Sequence, residues 1–208
     1  MRESAPFCLE CAVLLEPLPP GCRCCAEPGE FEICPRCVRR APPFSRSWAP
    51  YVHGGPIAHA IHLFKYEDRP ELARGLGGLL ADRRSQFLEQ APHEVVPIPL
   101  HLGRFLSRRY DQAGLVAVEF AARSGRTVLA GALTRVRATE RQVGQSELER
   151  DSNVRGAFLA SPLVRGRRVL LVDDVFTTGA TARAAALALR MAGAVDVQVL
   201  TLARAWTA

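Results

Sequence analysis

The chain has 208 residues, of which 48% are hydrophobic and 23% are charged, and its formal net charge is +6. This composition is typical of a globular protein, excludes an intrinsically disordered chain and suits binding to polyanions such as nucleic acids or diphosphates. No apolar run approaches the roughly 18 residues of a transmembrane helix, and no signal-type apolar stretch stands near the N-terminus. We therefore expect a cytoplasmic protein without membrane insertion.

The first feature along the chain is a set of cysteine pairs typical of metal sites. All seven cysteines lie between residues 8 and 37, and six of them form C-x-x-C pairs: Cys8 with Cys11, Cys22 with Cys25, and Cys34 with Cys37. In a cytoplasmic chain such clustering indicates a metal site, and two pairs supply the four thiolates of a tetrahedral Zn²⁺. Four sulfur ligands leave no open coordination position, so the predicted zinc is structural. The spacing leaves open which of the earlier pairs completes the site with the third pair.

A proline-marked boundary near residue 43 ends this Cys-rich unit, so we predict two domains, residues 1–43 and residues 44–208. The second domain alternates between helix-type and strand-type apolar patterns. In chain order these patterns predict a short strand and turn in 47–55, helices over 56–66 and 70–90, a strand in 94–100, a helix over 110–125, a strand within 126–136, a polar loop or flap over 137–158, a strand over 167–175, a helix over 181–194 and a strand over 195–204.

Two details of this pattern bear on the sheet. The prolines at 97 and 99 indicate one of two arrangements. Either the strand 94–100 lies at a sheet edge, or the prolines lie at the end of the strand. The last three elements form a strand-helix-strand unit of short spacing, which favours a parallel sheet flanked by helices.

An acidic pair stands where the strand 167–175 ends. Asp173 and Asp174 are followed by a turn of small hydroxyl residues around Gly179. In parallel sheets, ligands bind beyond the carboxyl ends of the strands, and the amides of such a turn and of the next helix attract phosphate. A ribose 5-phosphate suits this arrangement, with its hydroxyls on the carboxylates and its phosphate in the turn. The alternative is a turn whose polar side chains merely cap the helix.

The segment VLLVDDVFTTGAT, residues 169–181, resembles the signature of type I phosphoribosyltransferases, which bind phosphoribosyl pyrophosphate (PRPP). The segments CRCCAEP, CPRCVRRAPPF, IHLFKY, VPIPLHLGRFLSRRYDQAGLVA and LTRVRATERQVGQSELERDSNVRGAF resemble the ComF family of competence-related proteins. This resemblance covers nearly the whole chain. It implies an α/β fold, a type I phosphoribosyltransferase-like parallel sheet flanked by helices, with a small N-terminal zinc ribbon.

The resemblance also implies roles for individual residues. Asp173 and Asp174 would contact the ribose hydroxyls at the catalytic centre. The turn would hold the 5′-phosphate through Phe176, Thr177, Thr178, Gly179, Ala180 and Thr181. The segment 97–104 matches the pyrophosphate loop of such folds. The resemblance implies that the diphosphate binds together with Mg²⁺. Its candidate contacts are Arg104, Arg108 and Lys65.

Two further assignments come from the same resemblance. The segment 135–153 matches a flexible flap, with Arg135, Arg137, Thr139, Gln142, Arg150 and Asn153 as the matching polar residues. For the metal, the resemblance favours Cys22, Cys25, Cys34 and Cys37, which leaves the pair Cys8 and Cys11 without a partner pair.

Two functional interpretations follow. In the first, the protein binds PRPP and is linked to DNA uptake, natural competence or nucleotide salvage. If it is an enzyme, it is a phosphoribosyltransferase in which a nucleophile displaces pyrophosphate at C1 of the ribose. In the second, it is a non-catalytic module that binds single-stranded DNA through the zinc ribbon and the arginines, as a partner of the DNA-uptake machinery. The aromatic residues available to stack on bases would be Phe44, Trp48, Tyr51 and Tyr66.

Overall fold

The computed structural model describes residues 7–82, 90–92, 94–100, 110–137 and 156–206. Its helices are α1 (Leu9–Val13), α2 (Pro35–Arg39), α3 (Gly55–Tyr66), α4 (Leu72–Asp82), α5 (Gln112–Ser124) and α6 (Ala180–Met191). Its strands are β1 (Arg46–Trp48), β2 (Tyr51–Val52), β3 (Glu94–Pro97), β4 (Thr127–Val128), β5 (Leu133–Arg135), β6 (Phe158–Ala160), β7 (Arg168–Phe176) and β8 (Asp196–Arg204). None of the described helices is long and apolar enough to span a membrane.

The main sheet within these residues is parallel throughout. Its strands follow the order β1-β8-β7-β3-β4, and β2 also pairs with β8. The two longest strands, β7 and β8, form its centre. Both read as nearly continuous apolar runs because a parallel sheet is covered on both faces. The predicted parallel sheet flanked by helices is therefore confirmed.

The two faces of β7 and β8 bury different sets of helices. Val169, Leu171, Val197 and Val199 face α6, whereas Leu170, Val172, Leu200 and Leu202 face α3, α4 and α5. This division follows from the strand period of two, which sends successive side chains to opposite faces. The helix α5 ends where the sequence predicts, at Gly125, whose left-handed φ of 67° closes the last turn.

The strand β3 lies inside the sheet, between β7 and β4. The sheet-edge alternative for residues 94–100 is therefore wrong, and the strand-end alternative is correct. Pro97 is the last residue of β3, so its missing amide removes no hydrogen bond from the middle of the ladder. The segment 126–136 contains two strands, since β5 leaves the main sheet and pairs antiparallel with β6. The predicted helix over 70–90 forms from Leu72 to Asp82, and residues 83–89 lie outside the described part of the chain.

The Cys-rich segment contacts the α/β sheet through its backbone and its core. The amide of Leu18 donates to the carbonyl of Pro50 at 3.0 Å, and that of Val52 donates to Glu16 at 2.9 Å. Four cysteine side chains belong to the same buried cluster as Val169 and the α6 face of the sheet. The division at residue 43 stays a prediction, and the two parts share one hydrophobic cluster.

Candidate functional site

The acidic pair lies at the point where the chain reverses its direction across the sheet. The strand β7 sits between β3 and β8. The chain leaves β3 through α5 to reach β4 on one side, and it leaves β7 through α6 to reach β8 on the other side. Such a switch point opens a crevice at the carboxyl ends of the strands, where ligands of α/β sheets bind. Asp173 and Asp174 occupy this end of β7.

The Asp174 carboxylate forms an ion pair with Lys65. The Lys65 Nζ donates to Asp174 Oδ1 at 2.7 Å, and each side chain is only 14% exposed. Lys65 is near the end of α3, which brings this cation to the acidic pair from a distant part of the sequence. The sequence analysis assigned Lys65 to the diphosphate, whereas in the structure its ammonium group neutralises Asp174.

Asp173 is in a different electrostatic state from its neighbour. Burial raises the pKa of the Asp173 carboxyl to about 7, and the charge of Asp174 acts in the same direction. The charges of Lys65 and Arg135, and the Asp174 amide that donates to Asp173 Oδ1 at 2.9 Å, oppose the rise. Near neutral pH the two carboxyl groups therefore carry one negative charge readily, whereas ionising the second group costs free energy.

The turn after β7 forms a narrow cradle at the N-terminus of α6. Gly179 has a left-handed φ of 76°, and a Cβ at this position would lie 2.4 Å from the Phe176 ring. Only glycine therefore allows the backbone to approach the ring this closely. The turn lines a small cavity that also includes Asp173 and Thr201. The twelve-residue helix α6 begins at this cavity, which Ala180, Thr181 and Ala182 of its first turn line, and a helix N-terminus attracts phosphate.

Two residues before α5, Tyr110 and Asp111, lie near the ion pair of Lys65 and Asp174. The Tyr110 hydroxyl donates to the carbonyl of Phe64 at 2.6 Å, next to Lys65. Burial raises the pKa of the Asp111 carboxyl, the amides of Gly114 and Ala113 oppose this rise, and the charge of Asp174 adds to it. The sequence analysis gave neither residue a role. The approach of Tyr110 to Lys65 depends on tertiary packing that no local pattern reveals.

An apolar cavity of about 480 Å³ opens beside Tyr110 and Asp111. It lies at the carboxyl ends of β3 and β4, against the first turns of α5. Its volume is within the range of small-molecule sites. The sequence gives no sign of such a pocket, because its apolar walls come from three separate segments: Val96, Pro97, Pro99, Leu115, Val118, Val128 and Leu129.

His53 is another residue that the sequence analysis did not select. It follows β2, and its pKa is lowered by burial and by the charge of Lys65, while Asp174 opposes the shift.

Arg135 ends β5, and its guanidinium lies 5.3 Å from the centre of the Phe158 ring. The remaining predicted site residues, Arg104, Arg108, Thr139, Gln142, Arg150 and Asn153, lie outside the described part of the chain.

Four cysteines from two C-x-x-C pairs converge in the N-terminal segment. The sulfur atoms of Cys22, Cys25, Cys34 and Cys37 all lie within 4.8 Å of one another, and all four residues are buried. The Cys34 amide donates to the Cys22 sulfur at 3.3 Å. Burial raises the pKa of Cys22, but the amides of Cys34, Cys25 and Cys24 outweigh it and leave the pKa at about 7. Burial raises the pKa of Cys25 and Cys37.

This donor set is suited to Zn²⁺, because four convergent sulfurs match the tetrahedral Cys₄ sites that zinc prefers. A bound cation would also compensate the charge of four thiolates in a buried cluster. Of the two pairings that the sequence left open, the structure brings together the second and third pairs. Cys8, which precedes the exposed helix α1, and Cys11, which lies within it, do not belong to this cluster, and neither does Cys24.

Two solved structures resemble part of the fold. One is the glutamine phosphoribosylpyrophosphate amidotransferase of B. subtilis, at 25% identity and a TM-score of 0.47. The match covers 67% of this chain and 30% of that one. The other is an allosteric regulatory enzyme of purine biosynthesis, at 24% identity and a TM-score of 0.46, with 67% of this chain and 29% of that one covered.

Curated relatives match at higher identity over most of the chain. The DNA utilization protein YhgH of Salmonella typhimurium is 35% identical over 176 residues, which cover 82% of this chain and 77% of that protein. YhgH of Escherichia coli K12 is 34% identical over the same shares. Competence protein F of Haemophilus influenzae is 31% identical over 199 residues, which cover 89% of this chain and 85% of the relative.

The family model described as "Phosphoribosyl transferase domain" matches residues 65–206, from Lys65 to the end of the described chain. This range contains the acidic pair, the turn and both central strands. Together with the identity to Competence protein F and YhgH, the match establishes the family. The chain belongs to the phosphoribosyl transferase domain family and, within it, to the ComF family of competence-related proteins.

Proposed function

We propose that this protein binds PRPP at the carboxyl end of β7. The observation that carries the proposal is the acidic pair, followed by the turn that leads into α6, at the switch point of the sheet. Asp173 and Asp174 would accept hydrogen bonds from the ribose hydroxyls. The amides and hydroxyls between Phe176 and Thr181 would hold the 5′-phosphate.

The remaining parts of PRPP extend this proposal toward β3. The diphosphate, carrying Mg²⁺, would lie over the segment that follows β3, with Arg104 and Arg108 as its contacts. Lys65 would act indirectly, by holding the Asp174 carboxylate in place. In a transfer reaction, an acceptor in the apolar cavity beside Tyr110 would attack C1 of the ribose, and pyrophosphate would leave toward the arginines.

The proposed biological setting is DNA uptake or DNA utilisation, in the cytoplasm, with structural zinc on the four clustered cysteines. The support for the setting is the naming of the relatives. The support for zinc is the convergence of four buried sulfurs.

Calorimetric titration of PRPP with Mg²⁺ into the zinc-loaded protein tests the proposal. We expect binding by the wild type and its loss in an Asp173→Asn, Asp174→Asn variant that keeps the wild-type circular dichroism spectrum. Equal binding by both proteins would place the PRPP site elsewhere. A folded wild type that does not bind would show that the signature serves only the fold.

Single-stranded DNA is a second candidate ligand, favoured by the exposed arginines at the end of α2, where Arg39 is the last helical residue and Arg40 follows it. The proposed stacking residues need correction, because Phe44 and Tyr51 are buried in the core and cannot stack on bases. Of the proposed four, Trp48 is half-buried and Tyr66 is exposed, so binding would depend mainly on phosphate contacts and fall steeply with salt. Fluorescence anisotropy between 50 and 200 mM salt (about a fourfold range) tests this, and salt-independent binding would exclude it.

A further inference from the structure

An ion pair between a buried arginine and a glutamate whose side chain is 39% exposed joins the cysteine-rich segment to the last strand of the sheet. Arg204 ends β8 and is only 2% exposed. Its guanidinium donates to the Glu27 carboxylate, which belongs to the segment between Cys25 and Cys34. The Nε and Nη1 atoms of Arg204 are also buried, and neither has a hydrogen-bond partner among the described residues. Glu27 is therefore the acidic partner that compensates this buried cation.

The same guanidinium contacts the first residue of the proposed phosphate turn. It lies 4.8 Å from the centre of the Phe176 ring, in cation–π geometry. Phe44 packs against the same ring in a T-shaped arrangement, with the ring centroids 6.2 Å apart. The Phe176 ring in turn lies against Gly179, at the start of α6. The contacts thus run without a gap from Glu27 to the turn.

The backbone of Glu27 is bonded to Cys22, one of the four clustered cysteines. Its carbonyl accepts a hydrogen bond from the Cys22 amide at 2.8 Å, and the preceding Ala26 has a left-handed φ of 55°. A cation bound by the four sulfurs would fix this short loop and, with it, the position of the Glu27 carboxylate. The ion pair therefore depends on the same backbone as the cysteine cluster.

We propose that Glu27 and Arg204 are positioning residues for the phosphate turn, and that they connect the cysteine cluster to it through Phe176. The proposal rests on the PRPP-binding function for its consequence in ligand affinity. Without the Glu27 charge, Arg204 is an uncompensated buried cation and turns toward water, so its contact with Phe176 is lost. The ring then no longer fixes the backbone at Gly179, and the turn loses the geometry that a phosphate requires.

The test compares Glu27→Gln with Glu32→Gln in the zinc-loaded, full-length protein. Glu32 lies in the same segment and also pairs with an arginine, Arg23, at 2.9 Å, but both of those side chains are largely exposed. Two quantities are measured for each protein: hydrogen exchange of the amides in residues 177–181, and the affinity for ribose 5-phosphate by calorimetry. The zinc content is measured alongside, to show that neither substitution removes the metal.

We expect Glu27→Gln to speed exchange in the turn and to weaken ribose 5-phosphate binding about fivefold or more, a typical coupling between two sites. Glu32→Gln should match the wild type in both measurements. Unchanged exchange and affinity in Glu27→Gln would overturn the proposal. If the wild type binds neither ribose 5-phosphate nor PRPP with Mg²⁺, the PRPP-binding function fails, and the exchange comparison still decides whether the ion pair positions the turn.

Discussion

Two adjacent carboxyl groups at the end of β7 have different electrostatic surroundings. Asp174 is neutralised by the Lys65 ammonium at 2.7 Å. The carboxyl of Asp173 has a pKa raised to about 7, first by burial and then by Asp174. Such a pair is suited to a ligand that brings hydroxyl donors or a cation, because either one stabilises the second negative charge.

The raised pKa of Asp173 predicts a pH-dependent stability. In the unfolded chain this carboxyl ionises near its usual value of about 3.9, so the folded state binds more protons between that pH and the folded pKa. Its contribution to the unfolding free energy therefore falls as the pH rises through this window. Between pH 6 and pH 8 we expect the wild type to lose about 1 kcal/mol relative to Asp173→Asn.

Urea denaturation of both proteins across this range measures the difference. The charged groups that act on Asp173, which are Asp174, Lys65 and Arg135, are the same in both proteins. The titration of His53 and of the cysteines, which are also common to both proteins, largely cancels in the difference. Parallel stability curves for the two proteins would show that the Asp173 pKa is not raised.

Lys65→Met removes the partner of a largely buried carboxylate. We expect it to lower the unfolding free energy by about 2 kcal/mol, because Asp174 then remains buried with an uncompensated charge. In an Asp174→Asn background the same substitution should cost clearly less. Urea denaturation of the four proteins gives the coupling energy, and additive effects would mean that the ion pair contributes no net stability.

At the scale of elements, the turn between β7 and α6 combines a left-handed glycine with a close ring contact. Gly125 has a similar φ of 67° at the end of α5, but a Cβ there would meet nothing within 4 Å. Both glycines therefore have a left-handed backbone conformation, but only at Gly179 would a Cβ clash with a neighbouring side chain. This difference allows the two effects to be separated by the same substitution.

Gly125→Ala should cost about 1 kcal/mol of unfolding free energy, since a non-glycine residue enters the left-handed region at this price. Gly179→Ala should cost more, because its Cβ would displace the Phe176 ring, and it alone should weaken ribose 5-phosphate binding. Thermal unfolding and calorimetry check both statements. Equal costs, with binding intact in both variants, would contradict the close packing of the turn.

Local sequence patterns predict the helices and strands of this fold better than they predict which strands pair with one another. The nearly continuous apolar runs of β7 and β8, and the glycine after α5, predict these elements closely because both signals are local. The pairing of β5 with β6 is not predictable in this way, because residues 133–135 look like one more strand of the main sheet. In the structure the chain leaves the main sheet after β4, which ends at Val128, and β5 then pairs with β6.

At the scale of the whole molecule, the cysteine cluster is part of the main hydrophobic core. Its four side chains belong to the same buried cluster as Phe44, Val169 and Leu171. Loss of a metal from this position would therefore disturb more than the N-terminal segment. The chain should unfold as one cooperative unit whose stability depends on the metal.

Metal content and calorimetry test this expectation. The purified protein should contain about one equivalent of zinc, which is retained in Cys8→Ser, Cys11→Ser and lost in Cys22→Ser, Cys25→Ser. Chelation should lower the temperature of a single unfolding transition. A separate, unchanged transition for the α/β sheet after chelation would show that the cysteine segment folds independently.

The candidate site is predictable from sequence only where its residues are adjacent in the chain. The acidic pair and the turn occupy nine consecutive positions, from Asp173 to Thr181, so their signature is visible at once. The contacts of Lys65 with Asp174 and of Glu27 with Arg204 join residues 109 and 177 positions apart. Such pairs depend on the packing of α3 and of the cysteine segment, which one sequence does not specify.

The most direct test of the central claim asks whether the acidic pair recognises ribose hydroxyls. Calorimetry should compare ribose 5-phosphate with 2-deoxyribose 5-phosphate, in the wild type and in the Asp173→Asn, Asp174→Asn variant. We expect the wild type to prefer the ribose compound by about tenfold, the worth of one charge-assisted hydrogen bond, and the variant to lose this preference. Equal affinity of the wild type for both sugars would contradict the placement of the ribose on Asp173 and Asp174.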